Sequence, residues 1–344
     1  MIIYHPCYPT RNPYRLGKIM LQTLKSAALA CAILPFVSIS VQAEGLQAQA
    51  KSLFGALPKS MPGAENDSPV MISLGKKLYM DNRLSINNSQ SCNSCHNVID
   101  SGPGVDNTQF SPGAIAGKFG GRNAPTVWNA GFQLSQFWDG READLKAQAK
   151  GPILNPVEMA MPSEQAVVDK ISAISEYQIA FKAAFNVKNA ITYDNLAHAI
   201  AAFERTLITK DRFDDYMQGN KTALTQQEKN GLQAFVNTGC TACHSGPTLG
   251  GQVYQKLGLV KPYENQDDQG RFDLTHKPTD KMVFKVPMLR DVARTAPYFH
   301  DGKVETLEEA VKLMAELQLG RELDDKTITD IVAFLKSMNH DSSL

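Results

Sequence analysis

Two short stretches, Cys92-Asn93-Ser94-Cys95-His96 and Cys240-Thr241-Ala242-Cys243-His244, carry the residue types with the most chemistry in this chain. Paired thiols with two residues between them and an imidazole directly after form the pattern that attaches c-type haem. The cysteines add across the two vinyl groups, and the spacing matches the separation of those vinyls over one turn of chain. The histidine then reaches the iron from the proximal side. A four-cysteine zinc site is the competing reading. Its half-sites stand about 15–20 residues apart, and these two lie much further from one another. A redox Cys-x-x-Cys would need neither histidine.

The chain has six cysteines, and the remaining two, Cys7 and Cys31, fall in an N-terminal segment with the marks of an export signal. Arg11, Arg15, Lys18 and Lys25 form a basic lead, and Met20 is an alternative start that would shorten it. Ser26 to Val41 is an apolar run without charge, and Val41-Gln42-Ala43 offers small residues for cleavage before Glu44. The run is shorter than the roughly 20 residues of a membrane span. Residues 1–43 are therefore expected to be removed, leaving an exported protein with no membrane span and no cysteine for a structural disulfide. Covalent haem attachment of this kind is an extracytoplasmic process, which agrees with export to the periplasm.

The motifs need elements to hold them, and the local patterns are helical. Thr225-Gln226-Gln227-Glu228 is a capping box, and Leu232, Phe235 and Val236 follow at helical spacing towards Cys240. Met71, Leu74 and Leu78 form the matching apolar face before Cys92. Leu307, Val311 and Met314 share a face near the end, and Ile328, Ile331, Val332 and Leu335 define the last helix. Residues 98–140 and 245–300 are rich in Gly, Pro and Asn and read as long ordered loops. Loops of that length in a compact domain need something to pack on, and a haem disc provides it. The sum is a mainly α protein of two cytochrome c-like haem domains, with the haems near the domain interface. The expected boundaries are 44–207 and 208–344, the last helix being free to pack back on the first domain. Lys and Arg number 35, as do Asp and Glu, so no basic excess points to a nucleic acid.

Ordered motifs outside the haem sites then make the chain resemble the bacterial di-haem cytochrome c peroxidases, a family that includes the methylamine-utilisation di-haem enzyme. They are Arg122-Asn123-Ala124-Pro125-Thr126, Trp138-Asp139-Gly140-Arg141, Asn155-Pro156-Val157-Glu158-Met159, Phe284-Lys285-Val286-Pro287, Thr295 to Gly302, and Gln318-Leu319-Gly320. The resemblance implies that one haem cleaves hydrogen peroxide while the other takes electrons from a small cytochrome c or cupredoxin. A homodimer is compatible with it.

On the same resemblance, His244 ligates the electron-entry haem and Met314 is its distal ligand, a pairing that raises the potential. Met282 and Met288 are rival thioethers, and Met314 also fits as a core residue on a helix face. His96 ligates the peroxidatic haem. Glu158 matches the distal proton-shuttling glutamate, and Gln148 the distal glutamine that hydrogen-bonds peroxide. Read from the residues alone, Glu158 is a surface carboxylate in a Pro-flanked turn. Trp138 matches the tryptophan between the haems and equally fits interdomain packing. Asn123, Thr295 and Pro297 match the positions that hold a calcium ion, the proline through its carbonyl. His300 matches a family position without an assigned role, and His198 and His276 match none.

The chain departs from the pattern on the loop Ser111 to Phe119. Many relatives carry a histidine there that blocks the peroxidatic iron until the other haem is reduced; here the aligned position is about Ile115 and Lys118 is the nearest donor. The reading is thus a peroxidase, with a di-haem oxidase of a protein substrate and a non-enzymatic electron carrier as alternatives. Met314 speaks against the oxidase, whose ligand at that position is a tyrosine. Glu158 and Gln148 speak against the carrier.

Overall fold

Glycine at two helix crossings lets the two halves of the chain pack in the same way. In the computed structural model, which describes residues 36–340, a Cβ at Gly75 would lie 1.8 Å from the Ala199 carbonyl oxygen. At Gly231 it would lie 1.8 Å from that of Asp330. Phe203 closes the first crossing and Phe334 the second, their Cβ atoms 3.0 Å and 2.9 Å from the virtual Cβ. Each crossing joins the helix before a Cys-x-x-Cys-His motif to a helix further along.

The helices in chain order are α1 (Phe36–Phe54), α2 (Pro69–Tyr79), α3 (Cys92–Cys95), α4 (Leu145–Leu154), α5 (Glu164–Ser172) and α6 (Ser175–Phe185). There follow α7 (Tyr193–Glu204), α8 (Arg212–Met217), α9 (Gln226–Thr238), α10 (Phe272–Thr275), α11 (Leu307–Leu319) and α12 (Asp325–Lys336). The only strands among the described residues are β1 (Tyr254–Lys256) and β2 (Val283–Lys285), antiparallel with Gln255 opposite Phe284. The boundaries follow local chemistry. Ser68, Asp144, Ser163, Thr192, Asp324 and Thr306 each accept a backbone N–H at a helix start, as N-caps do. The capping box expected at Thr225 forms, with Glu228 Oε2 accepting from Thr225 N at 2.7 Å.

Two hydrophobic cores result. The first gathers Leu74 and Leu78 of α2, Ile153 of α4, Ile171 of α5, Phe181 of α6 and Leu196 and Ile200 of α7. The second gathers Phe213 of α8, Leu232 and Phe235 of α9, Leu307 of α11 and Ile331 and Leu335 of α12. Leu46, Ala50 and Phe54 of α1 join this second core although they precede the first in sequence. The last helix packs chiefly on α9, also in the second core. Just beyond it His340 lies over Trp128 of the first half at 4.7 Å between centroids.

The stretches read as long loops are largely irregular, interrupted by single 3-10 turns, the short antiparallel pair β1–β2 and, between its strands, α10. The described residues from 41 onwards form one compact unit; of the unit before it, only 36–40 are described, as the start of α1. The basic lead, Cys7, Cys31, Met20 and most of the apolar run lie outside the described residues, while Val41 to Ala43 falls within α1. No described helix is long and apolar enough to cross a membrane.

Candidate haem and peroxide site

Each Cys-x-x-Cys-His motif folds as one tight turn. Ser94 Oγ accepts the Ser91 backbone N–H at 3.0 Å and starts α3. His96 N donates to Cys92 O, and His244 N to Cys240 O, both at 2.9 Å. The turn brings both thiols and the imidazole to one side. All four motif cysteines are free thiols, and burial pushes Cys95 and Cys240 up to about 11.

Both histidines are held alike. The Nδ1 of His96 meets the Gly104 carbonyl at 3.3 Å, and that of His244 meets the Leu249 carbonyl at 3.1 Å. A carbonyl can only accept, so the proton sits on Nδ1 and Nε2 is left with a free lone pair, as a metal-ligating imidazole requires. Burial lowers the pKa of both rings and keeps them neutral. Gly104 adopts φ +73, and a Cβ there would come within 2.4 Å of Thr126 Oγ1. Leu249 sits at φ +51 without being glycine.

The second motif opens on a mostly apolar cavity of about 230 Å³. Its wall includes Cys240, Cys243, His244, Phe235 and Met314. Met288 is on the same wall; Met282 is not, being buried in a small cluster with Leu257, Tyr263, Phe284 and Leu317. An apolar cavity with two thiols, a neutral imidazole and a thioether on its wall fits a haem. Trp138, Asn123, Thr295, Pro297 and His300 line it as well.

Around the first motif, α4 and the turn after it place Gln148 and Glu158. Asn155 Oδ1 accepts from Val157 N at 3.2 Å, and Asn155 O accepts from Glu158 N at 3.0 Å. Met159 and Met161 are buried and anchor the turn to the first core. Burial raises the Glu158 pKa, against opposing pulls from Asn155 and Arg141. Its charge reaches the Cys95 thiol of the first motif. Gln148 is half-buried on α4.

The loop Ser111 to Phe119 closes on itself, Gly113 N donating to Lys118 O at 2.8 Å and Gly120 N to Ser111 O at 2.9 Å. It docks on the glutamate turn through Ala114 N to Glu158 O at 2.7 Å. Ile115 and Lys118 point to solvent, Ile115 with 41% of its surface exposed. His276 is exposed in an αL cap after α10, and His198 sits 4.0 Å from Asp67, so neither joins a motif.

Sequence reasoning passed over Glu204. It is buried at the end of α7 with Oε2 unpartnered, and burial pushes its carboxyl up to about 8, neutral at pH 7. Its charge would be felt by Cys92 and by Tyr79, whose hydroxyl donates to His96 O at 2.7 Å. A glutamate at the end of the apolar helix run Ile200-Ala201-Ala202-Phe203 was the available signal.

The profile of a family described as di-haem cytochrome c peroxidase matches residues 69–222. The cytochrome c551 peroxidase of Pseudomonas aeruginosa is 44% identical over 327 residues, 93% of each chain. The cytochrome c551 peroxidase of Nitrosomonas europaea is 47% identical over 79% of this chain and 80% of its own. A crystal structure of a MauG-like protein associated with microbial copper homeostasis superposes with a TM-score of 0.73 at 28% identity, covering 83% of this chain and 94% of that one.

Proposed function

The chain belongs to the di-haem cytochrome c peroxidase family, and from that premise we propose a division of labour between its two motifs. Family membership makes it a peroxidase with two haems, acting on hydrogen peroxide with a cytochrome as electron donor. The observation that carries the finer assignment is the pair of neutral, carbonyl-oriented histidines, each beside two free thiols, with the charge of Glu158 reaching a thiol of the first motif.

On this reading both haems are covalent, held by Cys92 and Cys95 in 44–207 and by Cys240 and Cys243 in 208–344. Haem supplies the peroxide-binding metal and the redox equivalents; the rest falls to the chain. Glu158 takes a proton from the inner peroxide oxygen and returns it to the outer one, so that water leaves. Gln148 orients the peroxide by hydrogen bonding. Two electrons and two protons per peroxide yield two waters. A haem held by His244 and Met314, whose thioether would raise its potential, would take up the electrons, and Trp138, on the wall of the same cavity, would shorten the path between the sites. The exposed Ile115 and Lys118 leave the His96 site without a strong blocking ligand on that loop.

A calcium ion fits the Asn123, Thr295 and Pro297 strip. The Asn123 Nδ2 is engaged by the carbonyls of Thr108 and Gln109 at 3.0 and 3.4 Å. Its Oδ1 therefore turns the other way, available to a hard cation. The exported form is periplasmic, and the donor is a small cytochrome c or cupredoxin.

Steady-state peroxide turnover with a reduced small cytochrome tests the reading. Catalytic donor oxidation that depends on peroxide supports it. Donor oxidation without peroxide turnover would leave an electron carrier instead.

A further inference from the structure

The cavity behind Cys240 and Cys243 contains two buried nitrogen donors and no acid. Lys285 closes β2 with 6% of its surface exposed. Its Nζ donates to Oε1 of Gln133, its one hydrogen-bond partner among the described residues, and both side chains line the cavity. The nearby carboxylate of Asp139 is engaged by Arg122 at 2.7 Å and Arg141 at 3.0 Å. His300, 2% exposed, lines the same cavity with its ring stacked on Phe284 at 4.3 Å. Its Nε2 is buried and has no partner. No Asp or Glu is on the wall.

A buried ammonium facing a single neutral acceptor is unfavourable, and proteins bury charge where a counter-charge meets it. Burial pushes Lys285 down to about 7, against a weaker upward pull from Asp139. The wall thus offers an amine that an anionic guest would hold in its charged form, and an unpartnered imidazole nitrogen, to a guest that the protein does not itself supply. Haem carries two carboxylates on the edge away from its thioether bonds.

We propose that Lys285 and His300 form the seat for the two propionate carboxylates of the haem attached at Cys240 and Cys243. The inference rests on the reading that this motif carries a haem. The thioethers fix one edge of the disc and its rotation, and Lys285 and His300 hold the carboxylates of another. That edge faces Trp138: Lys285 N donates to Trp138 O at 2.8 Å, and the Trp138 and His300 rings lie 6.4 Å apart. The carboxylate edge is then turned towards Trp138, the residue proposed to shorten the electron path between the two sites. Lys285 also sets the potential, because a cation held beside the disc favours the reduced, less positive iron.

The test uses the holoprotein with Lys285→Met, Lys285→Arg and His300→Gln. Resonance Raman of the propionate bending modes and potentiometry of the electron-entry haem are followed from acid to alkaline pH. Lys285→Met is expected to shift a propionate mode and lower the potential. It should also make the potential pH-dependent near neutrality, because a carboxylate without its cation titrates there. Lys285→Arg restores both, and His300→Gln moves a propionate mode while keeping the potential nearer to wild type. Wild-type modes and potentials in Lys285→Met, with both haems still covalently attached, would overturn the proposal alone. If Lys285→Met does not accumulate, unshifted modes in both other variants overturn it equally. A wild-type protein without haem on Cys240 and Cys243 overturns it together with the reading beneath it.

Discussion

The indole nitrogen of Trp138 donates to the carbonyl oxygen of Asn123 at 2.9 Å. Asn123 N in turn donates to His300 O at 2.8 Å. The strip from Asn123 to Thr126 lines the cavity of His244, while the backbone of Pro125 reaches the His96 imidazole. One short segment therefore touches both motifs, and Trp138 is fastened to it. Trp138→Phe keeps a ring on the cavity wall but removes the N–H. Both haems should remain attached, while electron transfer between the sites slows on the order of tenfold, about 1.4 kcal/mol of barrier. Rapid mixing of half-reduced protein with peroxide reads that rate, and an unchanged rate would remove Trp138 from the path.

Met314 and Met288 both line the cavity, so axial ligation distinguishes them. Met314→Ala should lower the potential of the electron-entry haem and abolish the weak methionine–iron charge-transfer band at the red end of the ferric spectrum. Met288→Ala should leave both unchanged. The reverse pattern would transfer the assignment to Met288.

Glu158 is expected to work as a base before it works as an acid, so its ionised form must be present when peroxide arrives. Burial raises its pKa above its ordinary value. Turnover should therefore fall as pH drops through that raised value, earlier than for a solvated carboxyl. Glu158→Gln should remove this acid limb and reduce turnover by about 10²–10⁴-fold, as for a lost acid–base group. Near-wild-type turnover in the variant would place the proton shuttle elsewhere.

Ile115 and Lys118 point outward from the loop that docks on Glu158. The haem at His96 should then be five-coordinate or hold water in the fully oxidised protein, and react with peroxide without prior reduction. Electron paramagnetic resonance of the diferric protein, with peroxide mixing on the same sample, decides it. Two low-spin haems that stay inert until one electron is added would contradict the expectation.

Gly231→Ala should destabilise the crossing of α9 and α12 by at least about 1–3 kcal/mol, the range for overpacking a tight contact, because the new Cβ meets the Asp330 carbonyl. Gly45→Ala, where nothing lies within 4 Å, is the matched control and should be neutral or slightly stabilising. Denaturant unfolding followed by circular dichroism measures both. Equal stability of the two variants would show that the helices part without cost.

By itself the sequence determined what depends on short range. The Cys-x-x-Cys-His turns are local, since one turn of backbone carries both thiols and the imidazole. The same holds for the helix starts at Ser68, Thr225 and Thr306, where a side chain caps its own backbone, and for the apolar faces of α2, α9 and α12, which follow from a 3.6-residue period. Ordered motifs carried the family likeness and drew attention to Glu158, Gln148, Trp138 and Met314. Only the tertiary structure decided which carbonyls, Gly104 and Leu249, orient the two histidines, that α1 leaves the first half to join the second core, and that Gly75 and Gly231 are contact points rather than weak helix formers. It alone revealed Lys285, His300 and Glu204 as buried polar groups short of partners. The reason is physical: the cost of burying a charge is set by what surrounds it, and those neighbours arrive from distant parts of the chain.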